Sequence, residues 1–134
     1  MLLKFPLLIF AVIVYNVLVF ATGFSLQDQL FSLNMMSGGV WSFSVADAVI
    51  SFALALLFIE ILKATRTDSS SIIDHALSTL VFIGCLVEFI LVGKAVTSTF
   101  FFITVICLID VIAGYSITIR AARRDFAMGG RGDY

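Results

Sequence analysis

The 134-residue chain predicts an all-α integral membrane protein, a bundle of four spanning helices. Three observations carry that prediction. Four long apolar stretches, roughly 5–22, 43–63, 72–93 and 98–119, are each about long enough to cross a bilayer as a helix. Apolar residues make up 61% of the chain and charged residues 13%, far from the balance of a soluble domain. Seven of the eight Lys and Arg, namely Lys4, Lys63, Arg66, Arg120, Arg123, Arg124 and Arg131, fall on one side of the four spans. Only Lys94 falls on the other. The positive-inside rule makes the basic side cytoplasmic, with both termini inside, and the pattern suits a bacterial inner membrane.

Span one, 5–22, follows a short basic start and so shares features with a secretory signal peptide. Its apolar run from Phe5 to Phe20 is longer than the usual signal core, and no small-x-small cleavage pattern stands out near Gly23. A retained span is expected. Asn16, beside Tyr15, is a polar group that must find a partner on another helix.

Residues 23–42 form the longest connection. Leu26, Leu30 and Leu33 recur at helical spacing, so a short amphipathic helix in the outer interface fits, as does a plain ordered loop. Gly38 and Gly39 break the pattern. Trp41, with Phe43, is placed to anchor at headgroup depth.

Span two, 43–63, starts at a capping-box-like Ser44 and Asp47. Ala48, Ser51 and Ala55 put small residues on one face, where helices approach closely. Span three, 72–93, is preceded by Ser71 and Asp74 and interrupted by Gly84. Span four, 98–119, can be capped by Thr97, Ser98 or Thr99, and Ala113 with Gly114 opens it to close packing. Arg120, Arg123 and Arg124 then anchor it at the inner membrane surface. Residues 1–125 thus form one transmembrane domain, and 126–134, Gly-rich and polar, are expected to be a flexible tail. Its Arg-Gly-Asp tripeptide carries no function in this reading.

Acids at bilayer depth are costly enough that they should face protein or water. Glu88 in span three and Asp110 in span four are therefore the leading site candidates. Each stands three residues after a Cys, in Cys85-Leu86-Val87-Glu88 and Cys107-Leu108-Ile109-Asp110, which places Cys and acid on one helical face. On span three that face continues through His75 and Ser78; on span four it runs from Thr99 to Gly114. Counting along the helices sets Glu88 about 8 Å and Asp110 about 18 Å below the outer surface. With Asp47 near the outer end and Glu60 and His75 near the inner end, they outline a possible ladder of proton-accepting groups. The same acids also fit two plainer roles, interhelical hydrogen bonding and a Glu88 pair with Lys94.

Other chemistry finds little support. The two Cys are not a C-x-x-C pair and His75 is the single His, so no metal or haem ligand set is expected. No catalytic triad or Gly-rich phosphate loop is present, and an enzyme is not expected, nor a cofactor. The net charge of −1 gives nucleic-acid binding no basis. The bilayer is the first partner. Because four short helices enclose little space, self-association or a place in a larger membrane complex is expected, with a proton- or cation-conducting module through Glu88 and Asp110 as the alternative.

The order of elements, with span two ending in Phe58-Ile59-Glu60-Ile61-Leu62-Lys63, a basic-edged inner loop, a tight outer turn and a basic tail, resembles the small four-span proteins of the phosphate-starvation-inducible protein E family over most of residues 40–125. The chain departs from that pattern at Glu88, where a cation can stand in such proteins. The resemblance implies fold and membrane location and no activity.

Overall fold

Residues 5–65 and 70–129 are described in a computed structural model of the chain. Helix α1, Leu8–Asn16, passes directly into a π-helical turn, Val17–Ala21. Strands β1, Gln29–Asn34, and β2, Val40–Ser44, pair antiparallel and lead straight into helix α2, Val45–Ala64. Helix α3, Ser70–Leu91, returns to the hairpin end. A 3-10 turn, Gly93–Ala95, connects it to helix α4, Ser98–Gly129. The two ends of the bundle are called here the hairpin end and the arginine end, after β1–β2 and Arg120, Arg123 and Arg124.

Three helices, Val45–Ala64, Ile72–Leu91 and Ser98–Arg124, are long and apolar enough to cross a membrane. The first apolar segment is shorter, with Leu8–Ala21 helical and spanning only about 20 Å. Pro6 accounts for the late start, since proline suits a first turn and not a helix interior. At the other end of the chain α4 outruns the expected span. It continues to Gly129, so the tail expected over 126–134 is helical as far as Gly129, and its last five residues lie outside the described ones.

Residues 23–42 correct the expectation of an amphipathic helix or plain loop, because they supply most of a β-hairpin. The decisive pattern is period two, Phe31-Ser32-Leu33-Asn34 and Val40-Trp41-Ser42-Phe43-Ser44, which overrides three leucines at helical spacing. The register sets Phe31 opposite Phe43 and Leu33 opposite Trp41, collecting the large apolar side chains on one face. Phe31 stacks on Phe43 at 4.8 Å between centroids, and Trp41 meets both rings edge-on. At the tip Gly38 takes φ 89°, and Met35 N–H donates to Gly39 O at 2.8 Å to close the loop.

Capping follows the sequence at the starts of α2 and α4, while the cap expected at Ser71 with Asp74 adjoins residues outside the described ones. Ser44 and Asp47 form a capping box on α2, and Thr97 Oγ1 accepts from Phe100 N–H at 3.1 Å to cap α4. Around these ends the core is apolar: Val45, Val49, Tyr15, Phe100 and Ile103 are buried together, with the Tyr15 and Phe100 rings 4.8 Å apart. Helix α2 and helix α3 both pack chiefly on α4, while α1 rests mainly on α2.

Candidate functional site: a buried ion cluster at the arginine end

Toward the arginine end the apolar core gives way to charge. Glu60 of α2 and Asp74 of α3 are buried around Lys63, and Asp110 of α4 is buried in the same half of the bundle. Lys63 Nζ lies 3.1 Å from Glu60 Oε1 and 3.6 Å from Asp74 Oδ1. The pair is local on α2, since residues three apart share a face.

The same two side chains hold the start of α1. Leu7 N–H donates to Glu60 Oε1 at 2.6 Å, and Lys63 Nζ donates to Phe5 O at 2.7 Å. Helix α1 has no side-chain cap of its own at Leu7, so a carboxylate from α2 takes the place of a local cap and faces the positive end of the helix dipole.

Two buried oxygens in this cluster make no hydrogen bond among the described residues. Asp74 Oδ1 and Ser78 Oγ have no hydrogen-bond partner, although both residues are only 4% exposed. Such groups are rare because each forfeits its solvation without compensation. Ser78 stands beside Asp110, and Asp74 Oδ1 faces Lys63 at ion-pair distance. Two carboxyl groups, Glu60 and Asp74, therefore share one ammonium, with Asp110 buried in the same half of the bundle.

His75 borders the cluster on the next position of α3. Its Nε2 hydrogen bonds with Thr118 Oγ1 at 2.8 Å, and its ring packs on Gly114 and near Tyr115. A Cβ built on Gly114 would stand 2.7 Å from His75 Nδ1, so only glycine lets the imidazole lie this close to α4.

The other candidates separate. Glu88 belongs to a second polar group near the hairpin end, where it accepts from Asn16 Nδ2 at 3.3 Å; Asn16 also donates to Val12 O. Between Glu88 and Asp110 lie Cys85, Cys107, Ile103 and Phe100, all buried and apolar. Lys94 does not reach Glu88; its ammonium sits 5.6 Å from the Phe20 ring centroid. Asp47 is consumed by its cap, accepting from both the N–H and the hydroxyl of Ser44. The five-member ladder thus resolves into a cluster containing Glu60 and Asp110 with His75 at its edge, a separate Glu88, and a capping Asp47.

Two proposed packing residues are also corrected. Gly84 is exposed, with open space where a Cβ would be, and Ser51 is exposed on the outer face of α2. Gly84 borders open space rather than a closely packed helix, and Ser51 stays exposed. Trp41 is exposed on the hairpin, and Arg120, Arg123 and Arg124 are exposed on α4 past the cluster.

Sequence reasoning overlooked Lys63 as anything but a topology marker and read Asp74 as a cap. A usable signal was present, because Glu60, Lys63, Asp74 and Asp110 all fall within the arginine-end half when residues are counted along antiparallel helices. Among the described residues, no three His, Cys, Asp or Glu are arranged to hold a metal ion. Compared with family models, curated proteins and solved structures, the chain finds no match.

Proposed function

We propose that this chain is a four-span, non-enzymatic protein of a bacterial inner membrane whose carboxyl cluster takes up and releases a proton from the cytoplasmic side. The observation that carries this reading is the imbalance around Lys63. Glu60 and Asp74 share the Lys63 ammonium, Asp110 is buried in the same half of the bundle with no ion pair among the described residues, and Ser78 Oγ makes no hydrogen bond there. A proton on one carboxyl supplies a missing donor and reduces the excess charge in a low-dielectric setting. The apolar layer of Phe100, Ile103 and Tyr15 makes the well one-sided, which fits uptake at one membrane face better than continuous conduction.

In this reading the first apolar segment completes its crossing with residues on either side of Leu8–Ala21, and Arg120, Arg123 and Arg124 lie against the inner lipid surface. Membership of the phosphate-starvation-inducible protein E family is proposed on the pattern of elements alone.

Infrared difference spectra of the reconstituted protein, recorded as pH is stepped, test the proposal. A protonated-carboxyl band that rises and falls with pH, and is lost or shifted in Asp110→Asn or Asp74→Asn, is the expected result. Spectra without any pH-dependent carboxyl band over the range in which the protein stays folded would refute it.

A second reading, assembly with copies or a larger complex, is favoured by one specific observation. Ser51 and Ala55 form a small-residue strip on α2 that is exposed among the described residues. Mass measurement of the intact complex in mild detergent, compared with Ser51→Leu, reads this directly. A wild-type monomer, or a complex unchanged by the substitution, removes that strip as an interface.

A further inference from the structure

A groove of about 430 Å³ runs between α1 and α3, separate from the carboxyl cluster. Ile9 and Val12 line one wall; Leu77, Leu80, Gly84 and Glu88 line the other. From Leu77 to Glu88 it extends about 16 Å along the α3 axis. Gly84 keeps the middle open, since no atom lies within 4 Å of where its Cβ would be. Leu80 and Gly84 are exposed, so the groove opens sideways to the surface that hydrocarbon would cover.

Its two ends differ chemically. The Leu77 end is apolar, whereas the other end carries the carboxyl group of Glu88 about one helical turn before α3 stops at Leu91. Among the described residues Glu88 receives one hydrogen bond, the long one from Asn16, and no cation pairs with it. Lys94, the nearest cation in sequence, lies over Phe20 instead.

We infer that this groove binds a long-chain alkylammonium amphiphile, its chain lying along α3 past Gly84 and its ammonium paired with Glu88 near the hairpin end. Charge complementarity selects the head, because no cation pairs with the Glu88 carboxyl group among the described residues. Size selects the body. A volume of about 430 Å³ falls in the range of small-molecule sites and is too small for a transmembrane helix about 10 Å across. The ammonium end would sit nearest the membrane surface, the ordinary orientation of such a molecule in a leaflet.

The test measures retention of tritiated dodecylammonium and tritiated dodecanol by the full chain in phosphatidylcholine nanodiscs, against empty nanodiscs. Wild type should take up the ammonium saturably, and about tenfold more tightly than the alcohol, as expected for a close charge pair. Glu88→Gln should remove that preference while leaving helix content unchanged. Gly84→Leu should remove saturable uptake of both probes by filling the groove; Leu80→Trp, from the same wall, does so if the first variant does not fold.

Several results would overturn the inference. These are uptake no different from empty nanodiscs, an ammonium preference that survives Glu88→Gln, and saturable uptake that survives both groove-filling variants. Equal affinity for ammonium and alcohol in wild type would make the groove a plain acyl-chain site. Cross-linking of Leu80→Cys between copies, with uptake appearing only when copies are dispersed, would assign it to a second copy. Asp110→Asn, outside the groove, should leave binding untouched, so failure here and failure of the proton reading are told apart.

Discussion

At the arginine end α1, α2, α3 and α4 are joined by Glu60, Lys63, Asp74 and the His75–Thr118 bond, whereas toward the hairpin end they meet through Tyr15, Val49, Phe100 and Ile103. The two halves hold together for different reasons. In lipid an apolar side chain gains little by leaving hydrocarbon for a protein core, so the hairpin-end contacts rest on shape and dispersion. The charged groups at the arginine end have no equally good alternative partner in hydrocarbon, and their geometry is more exacting. Substitutions of comparable size should therefore cost more near Lys63 than near Phe100.

The strongest way to break that comparison is Lys63→Met. It removes the one ammonium that Glu60 and Asp74 share, together with the bond to Phe5 O, and should destabilise the fold by about 3–5 kcal/mol. Unfolding by a denaturing detergent in mixed micelles measures it. Adding Glu60→Gln and Asp74→Asn should return a substantial part of the loss, because the uncompensated charges go as well. A cost under about 1 kcal/mol for the single variant would mean that the pair is as weak as an exposed surface bridge.

Two glycines sharpen the contrast at a middle scale. Gly114→Ala places a methyl within 3 Å of the His75 ring and should cost about 1–3 kcal/mol, with loss of the His75–Thr118 bond. Gly84→Ala meets open space and should be neutral or stabilising by up to about 1 kcal/mol through helix propensity. Thermal unfolding in one detergent compares them. Equal effects would contradict the packing described for Gly114.

The smallest effect belongs to the hairpin tip. Gly38 at φ 89° disfavours any side chain, so Gly38→Val should loosen the hairpin by about 1 kcal/mol or more without disturbing the helices. Trp41 is the only Trp, which makes its fluorescence a local reporter of the Phe31–Trp41–Phe43 cluster. A change in helix content, or no change in Trp41 emission, would show that the hairpin is coupled differently.

Much of the helical plan was legible in the chain. Apolar length placed α2, α3 and most of α4 within a few residues, and capping chemistry placed the starts at Ser44 and Thr97. The inward stripes were legible too, since His75, Ser78 and Cys85 on α3 and Thr99, Cys107, Asp110 and Gly114 on α4 are all buried. The hairpin is masked in the sequence because Leu26, Leu30 and Leu33 mimic a helical repeat, while the true signal lies in two short alternating runs separated by a Gly-containing turn.

Local chemistry determined that acids would stand at bilayer depth and turn inward, because the cost of exposing Glu60, Glu88 or Asp110 to hydrocarbon depends on the side chain and its depth alone. Tertiary structure decided which of them meet. Helical phase and the order in which α1, α2 and α3 surround α4 brought Glu60 and Asp74 to Lys63 and left Glu88 with Asn16 across an apolar layer. Neither grouping has a sequence signature, because its members are separated by tens of residues and are neighbours only once the helices pack.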